Sequence, residues 1–88
     1  MLTAQETKEF RELKDQIANC SSLVQAKPFL QNNRKLIDTL NQKYMNNCYV
    51  NGELNELYQL IDGSSQRSFK DLQDMVSIIY FEISLGNY

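Results

Sequence analysis

Eighty-eight residues, 42% hydrophobic and 23% charged, describe one globular domain near the lower size limit for burying its own core, and exclude a disordered chain. Nine Lys and Arg against eleven Asp and Glu give a net charge of −2, which argues against a broad phosphate-binding surface. The sequence contains no histidine, so Ser-His and Cys-His nucleophile pairs and the commonest metal ligand are excluded as well.

The chain opens Met1-Leu2-Thr3-Ala4-Gln5-Glu6, without the basic start and apolar stretch of a secretory signal. Thr3 and Glu6 have capping-box spacing, and Phe10, Leu13 and Ile17 follow at helical intervals. Lys8, Arg11 and Lys14 alternate with Glu9, Glu12 and Asp15 on the expected wet side. Cys20 and Val24 extend the stripe. The first helix therefore either continues to about Ala26, or breaks over 19–22 and restarts from Ser22 with Gln25 as its cap partner.

Pro28 predicts a boundary, since it disfavours helix at Lys27 and suits a first helical turn. Phe29, Leu30, Leu36, Ile37, Leu40 and Tyr44 then mark a second helix over 28–46. Residues 46–51 read as irregular. Asn51-Gly52 fits a hairpin turn, but the helical spacing of Leu54, Leu57, Tyr58, Leu60 and Ile61 favours Asn51 as a helix N-cap, with Glu53 and Glu56 in the first turn. Asp62-Gly63-Ser64-Ser65 ends that helix. Ser68 with Asp71 opens the last one and Gly86-Asn87 closes it. A strand over 77–85 is the alternative, but no second strand is available to pair with it. The expectation is an all-α, small antiparallel bundle of three to four helices spanning 1–88.

No stretch is long and apolar enough to span a membrane, so a cytoplasmic location is expected. If 3–19 and 28–46 are antiparallel helices, Cys20 and Cys48 lie at opposite ends, roughly 25 Å apart at 1.5 Å per residue. A disulfide needs Cα atoms within about 7 Å, so two free thiols are expected. Residues 26–50 are mainly basic and residues 51–88 mainly acidic. Either the two blocks face each other within the bundle, or the acids meet a basic partner.

The last segment is apolar nearly all the way round. Phe69, Leu72, Val76, Ile79, Tyr80 and Ile83 form one broad face, the core stripe of an amphipathic helix. Ile78, Phe81 and Leu85 fall on the other side, fringed by Asp71, Asp74 and Glu82. Either the first helix or residues 47–51 cover that trio, or it is a homodimer seam or binding spot.

Catalytic chemistry finds little support. Two distant cysteines make no zinc site, and Gly52, Gly63 and Gly86 are too scattered for a phosphate loop. The pairs Glu53 with Glu56 and Asp71 with Asp74 are explained by helix dipoles, and Tyr44, Tyr58 and Tyr80 by their apolar stripes. No catalytic residue, metal ligand or cofactor is expected.

A long first helix, a Pro28-marked restart and a final apolar helix resemble the small bacteriocin immunity proteins. The spacing Leu36-Ile37 then Leu57, followed by a capped terminal helix, resembles the YlbF/YmcA group of helical regulators. No diagnostic motif accompanies either resemblance, and no residue role is carried across. The expected function is a small protein-binding regulator, inhibitor or immunity-type factor that occludes its partner through the C-terminal helix. Asp71, Asp74, Ile78, Phe81, Glu82 and Leu85 are its expected interface. The alternative is an assembly subunit acting by homo-oligomerisation. A helix-turn-helix nucleic-acid binder is disfavoured by the seven-residue connector over 62–68 and the acidic composition of both flanking helices.

Overall fold

The computed structural model describes residues 2–63 and 67–85 and contains five helices: α1 (Ala4–Ala18), α2 (Leu23–Asn32), α3 (Arg34–Lys43), α4 (Cys48–Ile61) and α5 (Phe69–Ser84). The all-α expectation is met, with five helices in place of three to four. Residues 77–85 lie in α5 and its cap, not in a strand.

Two of the expected helix starts form as capping boxes. Thr3 Oγ1 accepts from the Glu6 N–H while Glu6 Oε1 accepts from the Thr3 N–H, at 3.0 and 2.9 Å. Ser68 and Asp71 repeat the arrangement at α5. Between α1 and α2 the chain does break. Ser22 caps α2 by accepting from the Gln25 N–H, and Gln25 Oε1 accepts in return from the Ser21 N–H at 2.7 Å.

Two expected boundaries are displaced. Pro28 does not start a helix but sits inside α2. Pro28 and Val24, one turn earlier, are both on the exposed side, where water can bond the carbonyl that proline leaves without a donor. The break falls instead at Asn33. Its N–H reaches the carbonyls of both Phe29 and Leu30, and its side-chain amide donates to Phe29 at 2.8 Å, closing α2. Likewise Asn51 is not an N-cap and residues 51–52 make no hairpin turn. Asn47 starts α4, its side-chain oxygen accepting from the N–H groups of Tyr49 and Val50, both at 3.1 Å. Asn51 lies one turn inside, donating through Nδ2 to Asn41 of α3 at 2.9 Å. Glu53 and Glu56 therefore lie in the body of α4, not in its first turn. Gly63, at φ +78°, takes the left-handed conformation that ends α4. The expected closure of α5 at Gly86-Asn87 lies outside the described residues.

The core is continuous through all five helices. Phe10, Leu13 and Ile17 of α1 meet Leu30 of α2, Ile37 and Leu40 of α3, Leu54 and Leu57 of α4, and Leu72 and Ile79 of α5, all essentially sealed from solvent. The most extensive helix contact joins α1 to α5, the next α4 to α5, while α2 and α3 both touch α1 and α4. The first and last helices therefore lie side by side, with α5 flanked by α1 and α4. The radius of gyration, 11.9 Å, matches the roughly 12 Å of a compact chain this long.

Candidate protein-interaction surface

The hairpin of α4 and α5 positions the surface, and the inner face of each helix fixes which side chains point outward. Val50, Leu54, Leu57 and Ile61 of α4 and Leu72, Val76, Ile79 and Ile83 of α5 are buried. Each such side chain contributes about 1.5–3 kcal/mol, so the rotation of both helices is firmly set. Tyr80, on the flank of α5 turned to α1, is half-buried beneath Lys14, whose Nζ lies 5.3 Å from the ring centre.

The expected interface lies off the buried face of α5, with Asp74, Phe81 and Leu85 exposed. At about 100° per residue, Asp71, Asp74, Ile78, Phe81, Glu82 and Leu85 occupy one sector of α5 roughly 100° wide. Neither α1 nor residues 47–51 cover its apolar members fully: Phe81 is 61% exposed and Leu85 45%. Ile78 is half-buried, because the neighbouring α4 reaches it. Asp71 is tied to the Ser68 N–H as part of the helix cap, and Asp74 lies 4.0 Å from Lys70. Glu82 is half-buried.

Between the hairpin helices runs a groove of about 330 Å³. Gly52, Glu53 and Glu56 of α4 form one wall and Asp71, Asp74, Met75 and Ile78 of α5 the other, with Arg67 at the turn. Arg67 Nε lies 3.3 Å from Glu56 Oε2. Four carboxylates thus face a single guanidinium among the lining residues. Toward the N-terminus of α4 and the C-terminus of α5 the character changes. Tyr49, 53% exposed, precedes Gly52 on the same face of α4, and the antiparallel register sets it at the Phe81–Leu85 end. The surface is therefore graded, with four carboxylates at the connector end and, at the other, the exposed apolar groups of Tyr49, Phe81 and Leu85 beside the single carboxylate of Glu82.

The α4 half of this surface was hidden from sequence reasoning. Once α4 begins at Asn47, the intervals Tyr49, Gly52–Glu53 and Glu56 define a second stripe antiparallel to that of α5. That spacing was the available signal, and placing the helix start at Asn51 concealed it.

The charges elsewhere brace the fold. Lys43 Nζ of α3 lies 2.6 Å from Glu6 Oε1, and this hydrogen bond, with that from the Thr3 backbone, holds the Glu6 carboxyl below its ordinary range. Arg34 approaches Asp38 and Asp62 at 3.5 and 3.7 Å, and its guanidinium lies 4.8 Å above the Tyr58 ring. Tyr58 donates its hydroxyl to Asp38 at 2.5 Å. Burial first, then this bond and the Asp38 charge, push the phenol up to about 12 despite Arg34. The basic and acidic blocks thus meet at Arg34 and Asp62, while Lys43 turns to α1. Burial also raises the Tyr44 phenol. Both thiols are free, Cys20 half-buried and Cys48 exposed. Among the described residues no group of His, Cys, Asp and Glu is arranged to hold a metal, and no helix is long and apolar enough to cross a membrane.

Comparison of the chain with protein-family models, characterised proteins and solved structures finds no match. The resemblances to immunity proteins and helical regulators therefore rest on the sequence pattern alone, and the Pro28 restart in the first of them is not a helix start, since Pro28 lies inside α2.

Proposed function

We propose that this protein is a small non-catalytic binding factor, a regulator, inhibitor or immunity-type protein of the cytoplasm, that occludes part of a partner protein with the outward stripe of α5. The observation that carries this reading is the exposure of Phe81 and Leu85 on the same line as Asp71, Asp74 and Glu82. Aromatic and aliphatic anchors within a charged rim are the usual anatomy of a binding surface. The lack of histidine supports a non-catalytic role.

Self-association through the same spot is the second reading, favoured by the exposed apolar side chains. Charge argues against a twofold axis at Ile78 or nearer the connector, while one at the level of Ile83 would set Phe81 against Leu85 with no carboxylates opposed. A twofold axis at Ile78 sets Asp74 against Glu82 of the second copy, and an axis nearer the connector stacks carboxylates on carboxylates. The acidic groove equally repels nucleic-acid phosphates.

The test uses wild type and Phe81→Asp, both verified as folded by circular dichroism, immobilised against lysate of the source cell. A protein retained by wild type and lost from Phe81→Asp is expected. Identical retention profiles on the two would refute the reading, and light scattering that shows a concentration-dependent dimer lost in Phe81→Asp would establish the second.

A further inference from the structure

The α4–α5 groove also constrains the chemistry of whatever fills it, a step that rests on the protein-binding reading above. We infer that the partner presents a basic amphipathic helix, which lies along the groove as a third helix against α4 and α5. From Asp71 to Leu85 the surface is about 21 Å long at 1.5 Å per residue, the length of a four-turn helix. At the connector end Glu53, Glu56, Asp71 and Asp74 outnumber the two cations there, Arg67 against Glu56 and Lys70 near Asp74, so Lys and Arg in one half of the incoming helix find complementary charge. At the other end Tyr49, Phe81 and Leu85 call for apolar residues at helical spacing in its second half, with Glu82 the one carboxylate among them.

Gly52 is the independent sign that something approaches closely. It stands in the second turn of α4, inside the helix, where glycine is less stable than alanine, and it keeps an ordinary helical backbone. A Cβ placed there would meet nothing within 4 Å, so neither packing nor backbone geometry of this chain calls for glycine. A bare backbone on the groove wall leaves room for another chain to approach closely.

The probe is a synthetic 16-residue amphipathic peptide with Leu and Phe along one face and Lys and Arg confined to one half. Two comparison peptides replace Lys and Arg by Glu, or permute the sequence so that the stripe is lost. Fluorescence anisotropy is expected to show binding of the basic peptide alone, with amide shift changes in NMR confined to α4 and α5. Phe81→Ser and Gly52→Leu, the latter filling open space without touching the core, should each weaken it by about tenfold or more. Glu53→Gln with Asp74→Asn should weaken it comparably and flatten its salt dependence. Asp71 is left intact because it caps α5. Glu9→Gln with Glu12→Gln, the same loss of charge on α1, should leave binding unchanged.

Equal loss in the α1 control would mean diffuse attraction to an acidic protein and would overturn the inference. So would equal binding of the three peptides, or no binding. If the basic peptide fails while a lysate partner still depends on Phe81, the helix chemistry is wrong and the binding reading stands. If no partner depends on Phe81, both fall.

Discussion

The two sides of the α4–α5 hairpin follow different rules. Inward, Leu54 and Leu57 meet Leu72, Val76 and Ile79 with almost no exposed surface, and every position suits a helix packed in a core. Outward, a glycine sits inside a helix, carboxylates gather beside one another, and Phe81 stands in solvent. Folding accounts for the first side completely; on the second it explains the Asp71 cap and the Arg67–Glu56 pair but neither Gly52 nor the exposure of Phe81. Stability and the proposed binding are thereby assigned to opposite faces of the same two helices, and substitutions can address either alone.

The largest effect belongs inside. Ile79→Ala removes a side chain with no exposed surface, and is expected to cost about 2–5 kcal/mol in urea-unfolding experiments. In a domain this small that is a large share of the total stability. A loss under 1 kcal/mol would mean that the inner face is loosely packed and that the contrast is weaker than the structure shows.

Next in size is the start of α4, on which the outer stripe depends. Asn47→Ala leaves the Tyr49 and Val50 N–H groups without their cap and should cost about 1 kcal/mol. Asn51→Ala should cost less, since the lost bond to Asn41 is offset by alanine's helix preference. The reverse order would restore Asn51 as the cap and dissolve the Tyr49–Gly52–Glu56 stripe.

This pair of asparagines also marks how far the sequence could be read. The capping boxes at Thr3 and Ser68, the close of α4 at Asp62-Gly63 and the inner stripe of α5 were legible because each signal is local and has one interpretation. Pro28 misled because a proline can be tolerated within a helix where its missing bond faces water, a fact of tertiary placement. Asn33, Asn47 and Asn51 are chemically the same residue. Which one breaks or caps a helix is decided by what its amide finds in space: the Phe29 carbonyl, two backbone N–H groups, or Asn41. The α5 half of the candidate surface was legible for the same reason as the core stripe, whereas the α4 half needed the correct helix start.

Gly52→Ala should have the opposite sign to these losses. With open space around the added methyl and helical geometry already in place, a gain of about 0.5–1 kcal/mol is expected in urea unfolding. A loss would show that the outer wall is tuned for folding after all.

On the flank of α4 turned to α3, the effect is confined to alkaline pH. Tyr58 ionises near 10 when unfolded and near 12 when folded, because burial and its bond to Asp38 disfavour the phenolate. Its contribution is fully present below pH 10 and is lost as pH rises through about 12. Absorbance at 295 nm should show a phenol step near pH 12 that belongs to Tyr58, apart from the Tyr44 phenol, which burial also raises. Tyr58→Phe should remove that step, together with its share of the alkaline loss of stability.

The smallest effect expected on stability belongs to the most exposed aromatic residue of the outer face. Phe81→Ser deletes a large apolar side chain, but one 61% exposed, and phenylalanine and serine have similar helix preferences. The unfolding free energy should move by no more than about 0.5 kcal/mol, the range of ordinary surface substitutions. Because Ile79 lies only two residues away in the same helix, the ratio between the two effects measures the contrast with backbone context held nearly constant. A cost for Phe81→Ser approaching that of Ile79→Ala would require Phe81 to be covered in solution. Repeating the measurement at several protein concentrations tells by what: a cost that grows with concentration points to a second copy, and a constant one to this chain's own residues.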